Sequence, residues 1–209
     1  MLGFYNYTVL TTYIGLASAV LGMRFAVRGN ILLALCCLLL SGVLDGIDGK
    51  IARTRVRTAH EKRFGIQIDS LCDLICFGVL PCVIGYSIGM DRIWSVAIMV
   101  FYILAAIIRL AYFNVMEEER QEQTAEVRKY YEGLPVTTIA LIFPFVFCLK
   151  PFVGHFFVPL CEITILLVAI AFISRFKVRK PNNFTMVLMI VLGVAELVVL
   201  ALARHYHVL

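Results

Sequence analysis

The sequence predicts an all-α integral membrane protein, and three observations lead to this fold class. The chain of 209 residues is 61% apolar and only 16% charged, whereas an ordinary soluble domain has about 25% charged residues. The apolar residues occur in blocks of about 20, which is the helix length that spans a bilayer. These blocks do not have the polar face of an amphipathic helix. We therefore expect a single transmembrane domain over residues 1–209.

We expect seven apolar blocks to form transmembrane helices. The fifth block is short and is interrupted by proline, at Pro144 and Pro151, so the predicted number of spans is seven to within about one. Charged residues interrupt the second and the third block. The predicted spans are 8–27, 31–53, 66–89, 92–115, 134–149, 156–175 and 184–203.

The distribution of Lys and Arg predicts the orientation of the chain. Twelve of the 19 cations lie in the stretches 53–65, 116–133 and 175–180, and five lie on the opposite side. Because short cytoplasmic loops carry an excess of Lys and Arg, we place these stretches and the amino terminus in the cytoplasm. We expect a multi-pass protein of the cell membrane, with stretch 116–133 forming a solvated helix that is supported by i,i+4 charge pairs.

Composition disfavours two other classes of protein. The net charge of +5 resembles that of a nucleic-acid-binding protein, but the cations are scattered among loops, so we expect no nucleic-acid partner. The seven cysteines lie almost entirely in apolar blocks and include no Cys-x-x-Cys pair. We interpret them as small packing residues and expect neither a disulfide framework nor a zinc site.

Four aspartates at the ends of two spans are the candidate functional residues. Asp45 and Asp48 close the second span, and Asp69 and Asp73 open the third. An aspartate at the centre of a bilayer costs about 2.5–3.5 kcal/mol on insertion scales. The cost is lower near the interface, but it still requires compensating partners. Ionisable residues within spans are therefore functional candidates.

The spacing of these residues predicts two acidic helix faces that point at each other. Residues at i, i+3, i+4 and i+7, or at i and i+4, share one face of a helix. Like charges at such close range repel, and a divalent cation removes the conflict. Oxygen ligands favour Mg²⁺, Mn²⁺ or Ca²⁺, and two such ions suit displacement at phosphorus. The faces consist of Asp45, Asp48, Gly49 and Ala52 on one helix and of Asp69 and Asp73 on the other.

Small residues and one arginine beside the acids predict a binding surface for a bulky phosphorylated ligand. Gly46, Gly49 and Ala52 remove side chains from the acidic face, so that a nucleotide can approach the backbone. Arg53 lies one turn after Gly49 and can contact a phosphate with two donors. Gly65 begins the third span one turn before the acids of that helix.

The acidic cluster is also compatible with two roles that involve no transferred phosphate. One is a buried charge network in which Lys50, Arg53 and Arg109 neutralise the aspartates. The second is an ion pathway, as in a cation transporter. Transporter acids usually lie near the midplane, whereas these lie at one boundary beside a basic loop. This position favours an enzyme site over a pathway.

The acidic residues also match a known family pattern. Stretches 45–53 and 65–73 resemble the signature D-x-x-D-G-x-x-A-R, followed after a spacer by G-x-x-x-D-x-x-x-D, of the CDP-alcohol phosphatidyltransferases. The spacer, 54–64, is about three residues longer than is usual in that family. Segments 76–81, 109–114 and 133–135 look like those of the phosphatidylserine synthase branch. Cys76 stands where that branch usually has serine.

The resemblance implies a fold and a set of site residues. The expected fold is a six-helix core plus one or two further transmembrane helices, usually a homodimer, with a polar cavity open to the cytoplasm. All four aspartates would bind two divalent ions, and Asp73 would also act as the general base. The expected contacts of CDP-diacylglycerol are Asp45, Asp48, Gly49, Ala52, Arg53 and Gly65.

The resemblance also implies transfer of a phosphatidyl group from CDP-diacylglycerol to L-serine, with CMP as the second product. Glycerol 3-phosphate or an inositol phosphate is the alternative acceptor. Among the cations within spans, Lys50 flanks the metal motif, which leaves Arg109 for the acceptor unless loop residues such as Arg128 or Lys129 fold over the cavity. One arginine suits a carboxylate better than a second phosphate. We therefore predict acceptor contacts at Arg109 and Asn114, and we assign no role to Glu162 or Glu196.

Overall fold

The computed structural model describes residues 3–4, 7–51, 54–55, 58–123, 130–179 and 182–205. Most of these residues are helical. The α-helices, in chain order, are α1 (Leu10–Val27), α2 (Ile31–Ile51), α3 (Ala59–Asp73), α4 (Leu80–Ser87), α5 (Ile93–Gln123), α6 (Ile139–Cys148), α7 (Lys150–Val153), α8 (Phe157–Ile173) and α9 (Asn183–His205). Single 3₁₀ turns occupy Tyr7–Val9, Val136–Thr138 and Gly154–Phe156, and a π-helical turn, Leu74–Val79, joins α3 to α4.

The helices confirm an all-α integral membrane protein. Within the described residues, six helical segments are long and apolar enough to cross a membrane. The fifth predicted block forms only the short apolar helix Val136–Cys148, with Pro144 inside it. The six long segments are Leu10–Val27, Ile31–Asp48, Ala59–Ser87, Ile93–Arg120, Lys150–Ile173 and Phe184–Ala203.

The third membrane segment begins earlier than predicted because its first turn is capped. The Thr58 hydroxyl accepts a hydrogen bond from the Glu61 backbone N–H at 3.2 Å. In return, the Glu61 carboxylate accepts one from the Thr58 N–H at 2.9 Å. This reciprocal pair, a capping box, satisfies two donors that a helix start leaves without partners. The helix therefore starts at Ala59 instead of near residue 66.

The predicted solvated helix over 116–133 is present only as far as Gln123 within the described residues, and the end of the stretch is a strand. Helix α5 continues without a break from the span to Gln123, and its ion pair, Glu117 with Arg120, has i,i+3 spacing. Strand β1 (Tyr130–Glu132) then pairs antiparallel with β2 (Lys177–Arg179).

A glycine at the end of β1 allows the chain to turn away from the strand there. Gly133 has φ +73°, and a Cβ atom at this position would lie 3.0 Å from the backbone oxygen of Phe172. Only glycine adopts this conformation at low cost. The Gly133 N–H also donates to the Phe176 carbonyl at 2.8 Å. These backbone contacts hold the two-stranded ribbon against the end of α8.

Helices α1 and α2 form a closely packed antiparallel pair on which the site is built. The Ser41 hydroxyl donates to the carbonyl of Gly15 at 3.0 Å, and the Ser18 hydroxyl donates to the carbonyl of Cys37, also at 3.0 Å. Near the other end of the pair, a Cβ atom on Gly22 would lie 2.9 Å from Cys37 Cβ. A glycine at this position thus allows the helices to approach closely.

Candidate active site

The structure brings the predicted acidic residues together at the interface of α2 and α3. Carboxylate oxygens of Asp45, Asp48 and Asp69 all lie within 4.8 Å of one another. The Asp73 carboxyl group is in hydrogen-bonding contact with Asp45, and Asp69 is in contact with Asp48. The two acidic faces therefore meet, as the helical spacing predicted.

Arg109 of α5 lies beside this cluster. Its side chain is only 9% exposed, and it interacts electrostatically with both Asp45 and Asp73. Its guanidinium group also lies 5.2 Å from the centre of the Phe113 ring, which is a cation–π distance. Part of the predicted charge network is therefore present. A single guanidinium supplies one positive charge and does not neutralise four carboxylates.

The donor set fits a divalent cation. The clustered groups of Asp45, Asp48 and Asp69 are all carboxylates, and hard cations such as Mg²⁺, Mn²⁺ and Ca²⁺ prefer oxygen ligands. The three side chains are half-buried, so the cluster is sheltered but accessible. The arrangement can thus hold a metal ion, and Asp73 is placed to extend the site.

The aspartates line a cleft with about 210 Å³ of empty volume. Its described lining contains carboxylates, hydroxyls and thiols but no histidine. A proton acceptor within this lining is therefore most readily a carboxylate. The lining residues are Thr11, Thr12, Gly15, Ser41, Asp45, Asp48, Asp69, Cys72, Asp73, Cys76 and Phe77.

One wall of the cleft comes from α1 and was not predicted from the sequence. Thr11, Thr12 and Gly15 belong to this wall. They are uncharged and lie in an ordinary apolar span, so no local pattern distinguishes them. The hydrogen bond from Ser41 to the Gly15 carbonyl shows why they lie there, since it joins α1 to the helix that carries Asp45.

A π-helical turn directly follows Asp73. The Leu80 N–H donates to the carbonyl of Ile75, five residues earlier, as a π turn requires. The Tyr102 hydroxyl donates to the Phe77 carbonyl at 2.6 Å, and the Tyr102 side chain is fully buried. This bond from α5 fixes the turn between the acidic end of α3 and helix α4.

Asn114 connects α5 to α3 through two hydrogen bonds. Its side chain is 8% exposed. Its amide oxygen accepts from the Ser70 hydroxyl at 2.8 Å, and its amide nitrogen donates to Gln67 at 3.4 Å. These bonds hold the helix face beside Asp69. The acceptor contact predicted for Asn114 stays a prediction.

The residues predicted to contact the nucleotide are only partly described. Gly49 lies near the end of α2, and Gly65 lies on α3 one turn before Asp69. Ala52 and Arg53 lie outside the described residues.

Two acids within spans are not part of the cleft. Glu162 of α8 accepts a hydrogen bond from the Ser95 hydroxyl of α5. Glu196 of α9 is 6% exposed, and the Cys148 thiol donates to its backbone carbonyl. Neither side chain lines the aspartate cleft. Their contacts join neighbouring helices.

The fold and the cleft together define a polytopic membrane protein with a cluster of carboxylates between two spans that could hold a hard cation. The family model for CDP-alcohol phosphatidyltransferases matches residues 6–176. This match covers most of the chain, and the chain therefore belongs to the CDP-alcohol phosphatidyltransferase family.

Individual relatives match a large part of the chain. The CDP-diacylglycerol–serine O-phosphatidyltransferase of Saccharomyces cerevisiae is 35% identical over 148 residues, which are 68% of this chain and 52% of that protein. The enzyme of the same name from Mycobacterium leprae is 34% identical over 130 residues, 61% and 40% of the two chains. Archaetidylserine synthase of Methanothermobacter thermautotrophicus is 30% identical over 133 residues, which are 63% of this chain and 53% of that protein. The matched region thus spans about half the length of these relatives.

The bond to the π turn yields a prediction about stability. The substitution Tyr102→Phe removes the buried hydroxyl that donates to the Phe77 carbonyl and leaves that carbonyl without this hydrogen bond. The free energy of unfolding should therefore fall by about 1–3 kcal/mol. Tyr112→Phe is the matched control, because the Tyr112 hydroxyl donates to Glu132 at an exposed position. Thermal unfolding in detergent, followed by a thiol-reactive dye, measures both. Equal unfolding temperatures for the two variants would contradict the structural role given to Tyr102.

Proposed function

We propose that the protein transfers the phosphatidyl group of CDP-diacylglycerol to the hydroxyl of L-serine, giving phosphatidylserine and CMP. The observation that carries the proposal is the meeting of the signature aspartates of α2 and α3 in one cleft. Membership of the family supports the reaction class. The names of the relatives from Saccharomyces cerevisiae and Mycobacterium leprae support serine as the acceptor.

In our proposal the cleft binds two divalent cations, with Mg²⁺ or Mn²⁺ preferred and Ca²⁺ as a further candidate. The ligands would be the carboxylates of Asp45, Asp48, Asp69 and Asp73. Bound cations neutralise negative charge on a pyrophosphate and on the departing nucleotide. The chain itself provides the surface for the nucleotide. In the proposal, the glycines at 49 and 65 leave room for the nucleotide beside the acids, and Ala52 and Arg53, which lie outside the described residues, would complete that surface.

Asp73 is the proposed general base. It lines the cleft next to Asp45, and the described lining offers no histidine for this task. As the serine oxygen attacks the lipid-side phosphorus, Asp73 takes the hydroxyl proton. The bond between that phosphorus and the CMP oxygen breaks, and CMP leaves. A direct displacement of this kind requires no nucleophile from the protein.

Arg109 is the proposed partner of the serine carboxylate. It is the buried cation beside Asp45 and Asp73, so an acceptor bound there would lie near the base. An acceptor with its own phosphate would bring about two more negative charges to the acidic cleft and would need additional cations. This electrostatic difference favours serine over glycerol 3-phosphate or an inositol phosphate.

The proposed setting is a homodimer in the cell membrane with the cleft facing the cytoplasm. The supporting observation is that the acids lie at the end of α2 and not in its middle. The positive-inside rule assigns the stretches rich in Lys and Arg to the cytoplasmic side, and the acids lie next to the first of them. These stretches are 53–65, 116–133 and 175–180. A cation transporter, the alternative from another class, would not consume CDP-diacylglycerol.

The acceptor is tested by CMP release from CDP-diacylglycerol in detergent micelles. Release should depend on L-serine, because Arg109 is the cation that lies beside Asp45 and Asp73 in the described part of the cleft. It should also depend on Mg²⁺ or Mn²⁺, because the clustered ligands are carboxylates. EDTA should abolish the activity, and added cation should restore it. Release with glycerol 3-phosphate and none with L-serine would end the serine assignment. If no CMP is released with L-serine, glycerol 3-phosphate or an inositol phosphate, the proposed phosphatidyl transfer is refuted. A cation transporter would then be the alternative that remains.

The role of Asp73 is tested by Asp73→Asn, which keeps the shape of the side chain but removes the base. Turnover should fall by at least about 100-fold, the lower end of the usual contribution of a general base. Binding of CDP-diacylglycerol should stay measurable because most of the carboxylates remain. Ser87→Ala is a suitable control, since the Ser87 hydroxyl donates to the Val83 carbonyl within its own helix and does not line the described cleft. An Asp73→Asn variant with near wild-type turnover would show that another group accepts the proton.

A further inference from the structure

Thr11 has an unusual position for a hydroxyl group in a transmembrane helix. It lies in the first turn of α1 and lines the aspartate cleft together with Asp45 and Asp69. Its hydroxyl oxygen is completely buried and has no hydrogen-bond partner among the residues that the structure describes. Buried hydroxyls in proteins are normally paired. A hydroxyl in this position is therefore available to a group that enters the cleft.

Among the other polar groups of the described lining, Ser41 and the ionised carboxylates do not replace Thr11 as a donor. The Ser41 hydroxyl is directed at the carbonyls of Gly15 and Cys37, both at 3.0 Å. Ionised carboxylates such as Asp45 and Asp48 only accept hydrogen bonds. An anionic phosphate also only accepts, so it requires a donor that the acids do not provide. The Thr11 hydroxyl is such a donor and adds no charge.

The position of Thr11 relative to the acids is fixed by contacts at both ends of its turn. Before α1, the hydroxyls of Tyr7 and Thr54 lie 3.0 Å apart, which joins the 3₁₀ turn to the segment after α2. One turn after Thr11, the Gly15 carbonyl accepts the bond from Ser41 of α2. The hydroxyl is thus held close to the acidic face of α2 before any ligand binds.

We propose that the Thr11 hydroxyl donates a hydrogen bond to a phosphate oxygen of CDP-diacylglycerol. This inference rests on the proposed function, because it takes the substrate of that reaction as the ligand. It assigns to α1 a direct contact with the pyrophosphate, in addition to the acids of α2 and α3. Thr11 then contributes to substrate affinity and does not contribute to the binding of the cation.

Equilibrium binding of CDP-diacylglycerol in Mg²⁺ without acceptor tests the inference by calorimetry in detergent micelles. Thr11→Val keeps the shape of the side chain and removes the donor, so the Kd should rise roughly 10- to 100-fold, as for a lost hydrogen bond to a charged group. Thr11→Ser should bind within about threefold of the wild type because it keeps the hydroxyl. Thr164→Val is the control, since the Thr164 hydroxyl bonds the Leu160 carbonyl within α8.

A second pair of variants protects the test against a folding defect. Thr11→Ser and Thr11→Ala both lose the methyl group, and they differ only in the hydroxyl. Ser should bind at least about tenfold more tightly than Ala if the hydroxyl contacts phosphate. Equal affinities of these two variants, or a Thr11→Val variant that binds like the wild type, would overturn the inference.

Binding of Mn²⁺ alone, followed by electron paramagnetic resonance, separates phosphate contact from cation contact. Thr11→Val should leave the Mn²⁺ affinity unchanged, whereas loss of Mn²⁺ binding would place Thr11 in the cation site and contradict the inference. The CMP assay separates this inference from the proposed function. A wild-type protein that releases CMP while Thr11→Val binds normally refutes only the role of Thr11. A wild type that does not bind CDP-diacylglycerol refutes both.

Discussion

Electrostatic repulsion among the aspartates is the constraint on which the rest of the site depends. Two unit charges 4 Å apart repel by about 4 kcal/mol at an effective dielectric constant of 20, and the oxygens of Asp45, Asp48 and Asp69 lie within 4.8 Å of one another. Helix packing must oppose this repulsion wherever two neighbouring carboxylates are ionised at the same time. Arg109 offsets part of it. A bound divalent cation would offset the remainder and would turn the destabilising cluster into a binding site.

The contacts around the cluster are those needed to hold two acidic helices together. Ser41 joins α2 to α1, and Asn114 joins α3 to α5 through Ser70. Tyr102 holds the π turn after Asp73. All three bonds involve buried or half-buried polar groups in an apolar protein, where such bonds fix the relative position of helices. The site is therefore supported on both sides by hydrogen bonds and not only by apolar packing.

The sequence predicted the acidic site because the relevant information is local. Asp45 and Asp48 share a helix face by their spacing alone, and so do Asp69 and Asp73. The wall formed by Thr11 depends instead on which helix packs against α2, and a threonine in an apolar span gives no local signal. The same holds for Tyr102, whose bond to the Phe77 carbonyl joins residues 25 apart in sequence.

Local rules also explain where the prediction of the fold succeeded and where it failed. The long apolar blocks predicted the spans, because length and hydropathy suffice for that purpose. The ribbon of β1 with β2 could not be predicted, since it joins Tyr131 to Val178 across three intervening helices. The charges of 116–133 favoured a helix, but within the described residues the stretch is helical only to Gln123 and forms a strand over Tyr130–Glu132.

The central claim is that carboxylates from α2 and α3 form one cation site, and a titration of the purified protein with Mn²⁺ tests it most directly. Electron paramagnetic resonance reports free Mn²⁺ and so gives the affinity without substrate or turnover. The account predicts saturable binding that is weakened by at least about tenfold in Asp45→Asn, on α2, and to a similar extent in Asp69→Asn, on α3. Wild-type protein without saturable Mn²⁺ binding, or variants that both bind as tightly as the wild type, would contradict it.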